Sequence, residues 1–156
     1  MNGSIERRMA EAGIVLPEAP KAVGSYVPYV VTGDLVFISG QLPWIDGRIA
    51  HPGRVGVEVG IEDAIAAARL CGLALIAQVR AACSGYLDRV AQVVRIGGFV
   101  ASESGFADQA KVLNGASDLM VQVFAEAGRH ARAAVGAASL PLNACVEVEG
   151  LFRIRG

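Results

Sequence analysis

An α+β fold is predicted for this chain of 156 residues. Strand-like and helical segments mix without strict βα alternation. Two long segments carry apolar residues at helical spacing. Two strand-like segments follow one another at the C-terminal end, with no helix between them. The predicted order is βββαβαββ after a short N-terminal helix at about 3–13. It describes one domain spanning 1–156, a single mixed sheet with both long helices on one face. No internal repeat, linker or low-complexity run divides the chain.

Residues 4–13 read as a short amphipathic helix, with Ser4 as N-cap and Gly13 as the stop. Residues 16–21 hold two prolines and read as an extended connector. Residues 26–32 are β-branched and aromatic and predict a strand, with Pro28 placing it at an edge or bulge. Gly33-Asp34 turns the chain into a second strand at 35–39. Asp46-Gly47 is a further turn signal, so 41–51 reads as a ribbon with a short third strand. Residues 61–83 are the strongest helix: Ile61, Ile65, Ala68, Gly72, Leu75, Ile76 and Val79 share a face. Glu62 and Asp63 lie in its first turn, where carboxylates suit the helix dipole. Residues 90–101 alternate and predict a strand, with Val90, Gln92, Val94 and Ile96 on one side. Residues 107–127 predict the second long helix, closed by Gly128. Strands at 131–138 and 144–154 finish the chain.

Apolar residues make up 53% of the chain, charged residues 19%, and the formal net charge is −1. That balance excludes intrinsic disorder, which needs low hydrophobicity and high charge. It also argues against a nucleic-acid surface, since no cationic excess is present to neutralise phosphates. A small domain leaves much of its surface in water, so the apolar surplus needs a destination. The most apolar stretch, 64–83, is interrupted by Arg69, Gln78 and Arg80, whereas a membrane span needs about 20 predominantly apolar residues. Burial against copies of the same chain is the better expectation. The three cysteines, Cys71, Cys83 and Cys145, form no CxxC, and His51 and His130 are the only histidines. A disulfide framework and a structural zinc site are therefore not expected, and a reduced, cytoplasmic setting is the default.

The last two strands hold the residues of most chemical interest. In the closing strand Val146, Val148, Phe152 and Ile154 share one face, and Glu147, Glu149 and Leu151 the other. If the strand at 131–138 pairs with it and Val135 joins the valines beneath the helices, Arg132 shares the face of Glu147 and Glu149. An arginine and two glutamates on an apolar face form either a cross-strand or interface ion pair or a polar pocket. In a pocket, Arg132 holds a carboxylate with its two-pronged donor and a glutamate positions a water.

The segment Ala131-Arg132-Ala133-Ala134-Val135-Gly136, then Leu140-Pro141, then Val146-Glu147-Val148-Glu149, resembles the C-terminal signature of the RidA/YjgF family of enamine/imine deaminases. Val23-Gly24-Ser25-Tyr26 resembles the segment around that family's active-site tyrosine. Phe37-Ile38-Ser39-Gly40-Gln41-Leu42-Pro43 is similar to its S-G-Q-[IL]-P, and Asp88-Arg89-Val90 to the D-[RK]-V that opens its middle strand. The phrase at 114–119 and the N-terminal helix are similar to its longer branch, often labelled endoribonuclease L-PSP or chorismate mutase-like. The resemblance implies a chorismate mutase-like homotrimer with clefts between subunits and no metal or organic cofactor. It implies Arg132 as carboxylate anchor, Glu147 as the residue that positions water, and Tyr26, Ser39, Asn114 and the Ala134 amide as substrate-binding groups. Ala134 stands where many members have cysteine, His130 differs from the best-known members, and the loop holding Trp44, Pro52 and Arg54 departs from the short-chain ones. The implied reaction is hydrolysis of a small imino acid, such as 2-aminoacrylate, to a 2-oxo acid and ammonium. A non-catalytic trimer that binds small carboxylates and an endoribonuclease or translation inhibitor are the alternatives, the latter disfavoured by the charge balance.

Overall fold

The computed structural model describes residues 3–156. The elements in chain order are α1 (Ser4–Glu11), β1 (Tyr29–Thr32), β2 (Leu35–Gln41), β3 (Trp44–Ile45), β4 (Arg48–Ile49), α2 (Ile61–Ala82), β5 (Val90–Ala101), α3 (Gln109–Phe124), β6 (Ala131–Ala137) and β7 (Val146–Ile154). Five strands form one mixed sheet in the order β1-β2-β7-β5-β6, in which only the β5–β6 pair is parallel. The expected third strand does not join it. Asp46 and Gly47, both at positive φ, instead close β3 and β4 into a separate two-stranded hairpin. Strand β1 begins at Tyr29, just after Pro28.

Both long helices cover one face, α2 over β2 and β7, α3 over β5 and β6. Val36, Ile38, Val93, Ile96, Val100, Val146, Val148 and Phe152 line the sheet side of the core, opposite Leu75, Ile76, Leu113, Leu119 and Met120. Helix α2 has the length and apolarity of a bilayer span, yet most of it is packed into this core. Glycines set the closeness of the layers. A Cβ on Gly115 would strike the Ile65 carbonyl of α2, and one on Gly98 would strike the Leu113 side chain. The helices are therefore in backbone contact, and α3 lies directly on β5.

Two register details differ from the simple alternation. Strand β5 carries irregularities between Val90 and Gln92 and between Val93 and Arg95. They change the phase, so Val93, rather than Gln92 or Val94, is buried with Val90 and Ile96. Helix α3 stops at Phe124, because Ala125 has φ 53°, and a 3-10 turn at Ala125–Gly128 completes the segment predicted as one helix.

The N-terminal helix is fastened from a distance. Its N-cap is Gly3, not Ser4. The Asp88 carboxylate accepts hydrogen bonds from the Ser4 amide (2.7 Å), the Ile5 amide (2.9 Å) and the Ser4 hydroxyl (2.9 Å). Asp88 thus does the work of an N-cap side chain from the turn that opens β5. The amide bonds hold its pKa below the usual carboxylate range. A depressed pKa adds stability that is present above the unfolded value and lost as pH falls through the folded one. Asp88→Ala is expected to cost about 1 kcal/mol and to release α1. Thermal melts measure the cost, and hydrogen exchange at residues 4–11 locates it. The deficit should shrink on acidification toward the range in which Asp88 protonates.

Candidate active site

The sheet face away from the helices is bare and largely apolar. Val30, Phe37 and Val135 lie on it, 51%, 47% and 49% exposed. Phe99 pairs with Glu147 on one side and Val135 on the other, so these three form a row on this face. Gly97 likewise lies between Glu149 and Ala133. Both glutamates rest against glycines: the Glu147 carboxylate occupies the space a Gly40 Cβ would fill, and Glu149 approaches Gly97 to 2.8 Å of its would-be Cβ. Burial raises the Glu147 pKa above the ordinary range, and the neighbouring Glu149 charge adds to the rise. Glu149 has a cation within reach, Arg95, at 3.5 Å.

That cation corrects the strand reading. Strand β6 pairs with β5, not with β7, and Arg132 sits in register with Ile96, a fully buried residue on the helix side. Arg132 therefore lies on the opposite face from Glu147 and Glu149. Its Nη1 donates to Asn114 Oδ1 (2.8 Å) and to Ser117 Oγ (3.1 Å), both on α3. Asn114 and Ser117 are one helical turn apart, on the face of α3 that looks toward β6. Ala134 follows Arg132 on the same face, packed on the core edge. Strand β6 is the sheet's outer strand, which leaves alternate backbone groups without a sheet partner.

A second group gathers at the far end of the sheet. Tyr26 and Ser39 share the wall of a cavity of about 340 Å³ with Val23, Leu42, Trp44 and Leu142. Gly40, which the Glu147 carboxylate touches, is part of the same wall. The Ser39 hydroxyl donates to the Val27 carbonyl (2.8 Å), and the Ser39 amide to Pro28 (2.9 Å), fixing the loop that carries Tyr26. The register with β7 shifts between Ile38 and Gln41, and buried Gln41 braces the shift by donating to the Ser39 carbonyl (2.9 Å). Gln78 on α2 donates to the Pro20 carbonyl (2.6 Å) and lies 3.4 Å from Gln41 Oε1, tying the N-terminal connector to this corner.

The six expected site residues thus separate: Arg132, Asn114 and Ala134 lie at the β6 edge, Tyr26 and Ser39 line the cavity, and Glu147 lies on the bare face against Gly40, a residue of the cavity wall. Sequence reasoning missed Ser117, His130, Arg95, Gly40 and the buried glutamine pair. Parity alone offered one signal for them, since it put Arg95 opposite Ile96 on β5. No three His, Cys, Asp or Glu side chains converge into a metal-binding group among the described residues. The three cysteines are buried, and burial pushes the Cys145 thiol up to about 11.

A family model described as "YjgF/chorismate_mutase-like, putative endoribonuclease" matches residues 6–153. The chain belongs to this YjgF family. It is 43% identical over 154 residues to Protein TCP17 of Trypanosoma cruzi, covering 98% of this chain and 96% of that one. The crystal structure of Atu1372 from Agrobacterium tumefaciens, of unknown function, superposes with a TM-score of 0.90 at 47% identity, covering 97% of this chain and 92% of that one. RidA from an Antarctic Psychrobacter is 31% identical with a TM-score of 0.59, covering 88% and 94%. The YjgF fold is therefore established for this chain, including the chorismate mutase-like sheet and helix arrangement.

The raised pKa of Glu147 has a consequence for stability in this YjgF protein. The folded state holds that proton more tightly than the unfolded state, so stability falls as pH rises from the ordinary glutamate value through the folded one. Glu147→Gln removes this cost. The variant is expected to melt higher than wild type at pH 7, with the gap closing toward about pH 4, as calorimetry across that range would measure.

Proposed function

We propose that the protein is a homotrimeric deaminase that hydrolyses small 2-imino acids, and their enamine tautomers, to 2-oxo acids and ammonium. One observation carries the reading. Arg132, with Asn114 and Ala134, lies on one face of the sheet, and Glu147, against the Gly40 that borders the Tyr26 and Ser39 cavity, lies on the other. Within one chain the two cannot address the same small molecule. Packing the bare face of one copy beside the β6 edge of the next brings them together and covers Val30, Phe37 and Val135. The kinship with RidA and the ordered motifs at 23–26, 37–43 and 131–149 support the same reading.

In this site the substrate carboxylate sits on the guanidinium of Arg132, with the Ala134 amide as a second donor. The side chain enters the Trp44 cavity. Water attacks the carbon of the N-protonated imine, the C=N π pair moves to nitrogen, and Glu147 takes the water's proton as its oxygen bonds to carbon. The resulting carbinolamine receives that proton on nitrogen. The C–N bond breaks and ammonia leaves as Glu147, again a carboxylate, takes the hydroxyl proton and the new C=O forms; the ammonia then takes that proton from Glu147 and departs as ammonium. A glutamate with a pKa above its ordinary range is matched to both halves of this transfer.

Arg132→Ala and Glu147→Gln should each lower kcat/KM for 2-aminoacrylate by about a hundredfold or more. Co-assembling the two inactive variants tests the shared site. Arg132 from one copy and Glu147 from its neighbour are both intact at about a quarter of randomly mixed sites, so keto-acid release should recover to that share of wild type. No recovery in trimers shown to contain both variants would place the chemistry within one chain. Carboxylate binding lost in Arg132→Ala, without turnover in wild type, would favour a non-catalytic binding trimer. RNA cleavage abolished by the same substitutions would favour the endoribonuclease.

A further inference from the structure

The polar chain behind Arg132 runs through two residues with no role so far. Ser117 Oγ lies 2.9 Å from His130 Nε2, and His130 Nδ1 lies 2.6 Å from the Gly128 carbonyl. A carbonyl only accepts, so Nδ1 carries the proton and donates it. In a neutral ring Nε2 is then bare and accepts the Ser117 hydroxyl proton. Arginine only donates, so Ser117 must present a lone pair to Nη1. Each contact satisfies the next: Arg132 donates to Ser117, Ser117 to His130, and His130 to Gly128. Every bond points the same way, the condition under which such chains reinforce one another.

The far end of the chain is firmly placed. A Cβ on Gly128 would strike the Met120 carbonyl, so the 3-10 turn is tucked tightly against α3. The Gln92 side chain donates to the Arg129 carbonyl at 2.6 Å and holds the following residue. At the near end, Asn114 and Ser117 occupy both protons of Nη1. The N–H groups on Nε and Nη2 make no hydrogen bond to the described residues. They form the fork that grips a carboxylate with two parallel bonds. Without His130 as acceptor, the Ser117 proton is free to turn toward Nη1, which would undo the contact.

We propose that Ser117 and His130 are positioning residues for Arg132, saturating Nη1 so that the Nε/Nη2 fork faces an incoming carboxylate. This rests on Arg132 being the carboxylate anchor. The test is calorimetric binding of 2-oxobutyrate to the assembled protein, with turnover measured in parallel. Ser117→Ala and His130→Phe should each weaken binding about five- to tenfold, raising KM more than they lower kcat. Ser117→Thr, which keeps the hydroxyl, should restore affinity to within about twofold of wild type. The double variant Ser117→Ala/His130→Phe should be no weaker than either single one, because both break the same chain. Additive losses would mark two separate packing effects and overturn the proposal. So would single variants that bind like wild type while Arg132→Ala does not bind. Equal binding, or none, by wild type and Arg132→Ala would overturn the anchor reading itself, and this inference with it. If His130→Phe does not fold, Ser117→Ala against Ser117→Thr decides the matter. Independently, 15N chemical shifts of the His130 ring should show a protonated Nδ1 and a bare Nε2; the opposite tautomer would also overturn it.

Discussion

The contact of α3 with β5 and α2 determines where the candidate site's side chains end up. Gly98 and Gly115 have no room for a Cβ, the first against Leu113 and the second against the Ile65 carbonyl. Because α3 sits this low, Asn114 and Ser117 come level with strand β6 and reach Arg132 directly. Because both helices lie on the same face, the other face is left with only its own side chains for cover. Overpacking either glycine by one methyl group would lift α3 from the sheet, at a cost of about 1–3 kcal/mol, and would move the guanidinium's two partners with it.

The bare face answers the question the composition raises. More than half of the residues are apolar, and the core between sheet and helices takes only part of them. Val30, Phe37, Phe99, Val135 and Leu151 remain on the other side, interleaved with Arg95, Glu147 and Glu149. Charges amid an apolar surface are costly to cover unless each finds a partner. Glu149 has Arg95, whereas Glu147 lies against Gly40 and beside Phe99, with another carboxylate nearby and no ion pair among the described residues. The surface is thus apolar enough to be covered and carries one acid left unneutralised.

The helices, the two N-terminal strands and the closing strand were legible in the sequence because their apolar residues contrast sharply with their neighbours. The helix spacing from Ile61 to Val79 and the alternation from Val146 to Ile154 leave little freedom. Strand β6 is different. Its residues, Ala131 to Ala137, are mostly alanine and glycine, with one valine to set the phase. Taking Val135 as the core residue reversed the whole strand, because a period of two admits only two answers. Ala134 in fact meets the core and Val135 does not. Pairing failed for a related reason: a parallel neighbour reached through α3 leaves no turn signal between the partners, so succession of β6 and β7 suggested adjacency. Strand β5 broke its alternation through two backbone irregularities that no side-chain pattern announces. The Ser117–His130 contact was invisible because it joins a helix to a loop across a 3-10 turn, a geometry with no fixed sequence spacing.

The reversed face is also what would keep both halves of the proposed site usable. Had Arg132 shared a face with Glu147 in one chain, the two would form an ion pair. The arginine would spend its carboxylate-gripping fork on a resident acid, and the glutamate's pKa would fall rather than rise. The fold places them on opposite sides of the sheet instead. Arg132 is held by neutral oxygens, those of Asn114 and Ser117, which orient it without neutralising it. Glu147 is held against glycine, which gives room without a countercharge. Neither group is satisfied by its own chain in a way that competes with a ligand. In the proposed trimer, a substrate that is anionic at one end and electrophilic beside it then completes both at once. Its carboxylate meets the cation of one copy while its imine carbon faces the acid of the next.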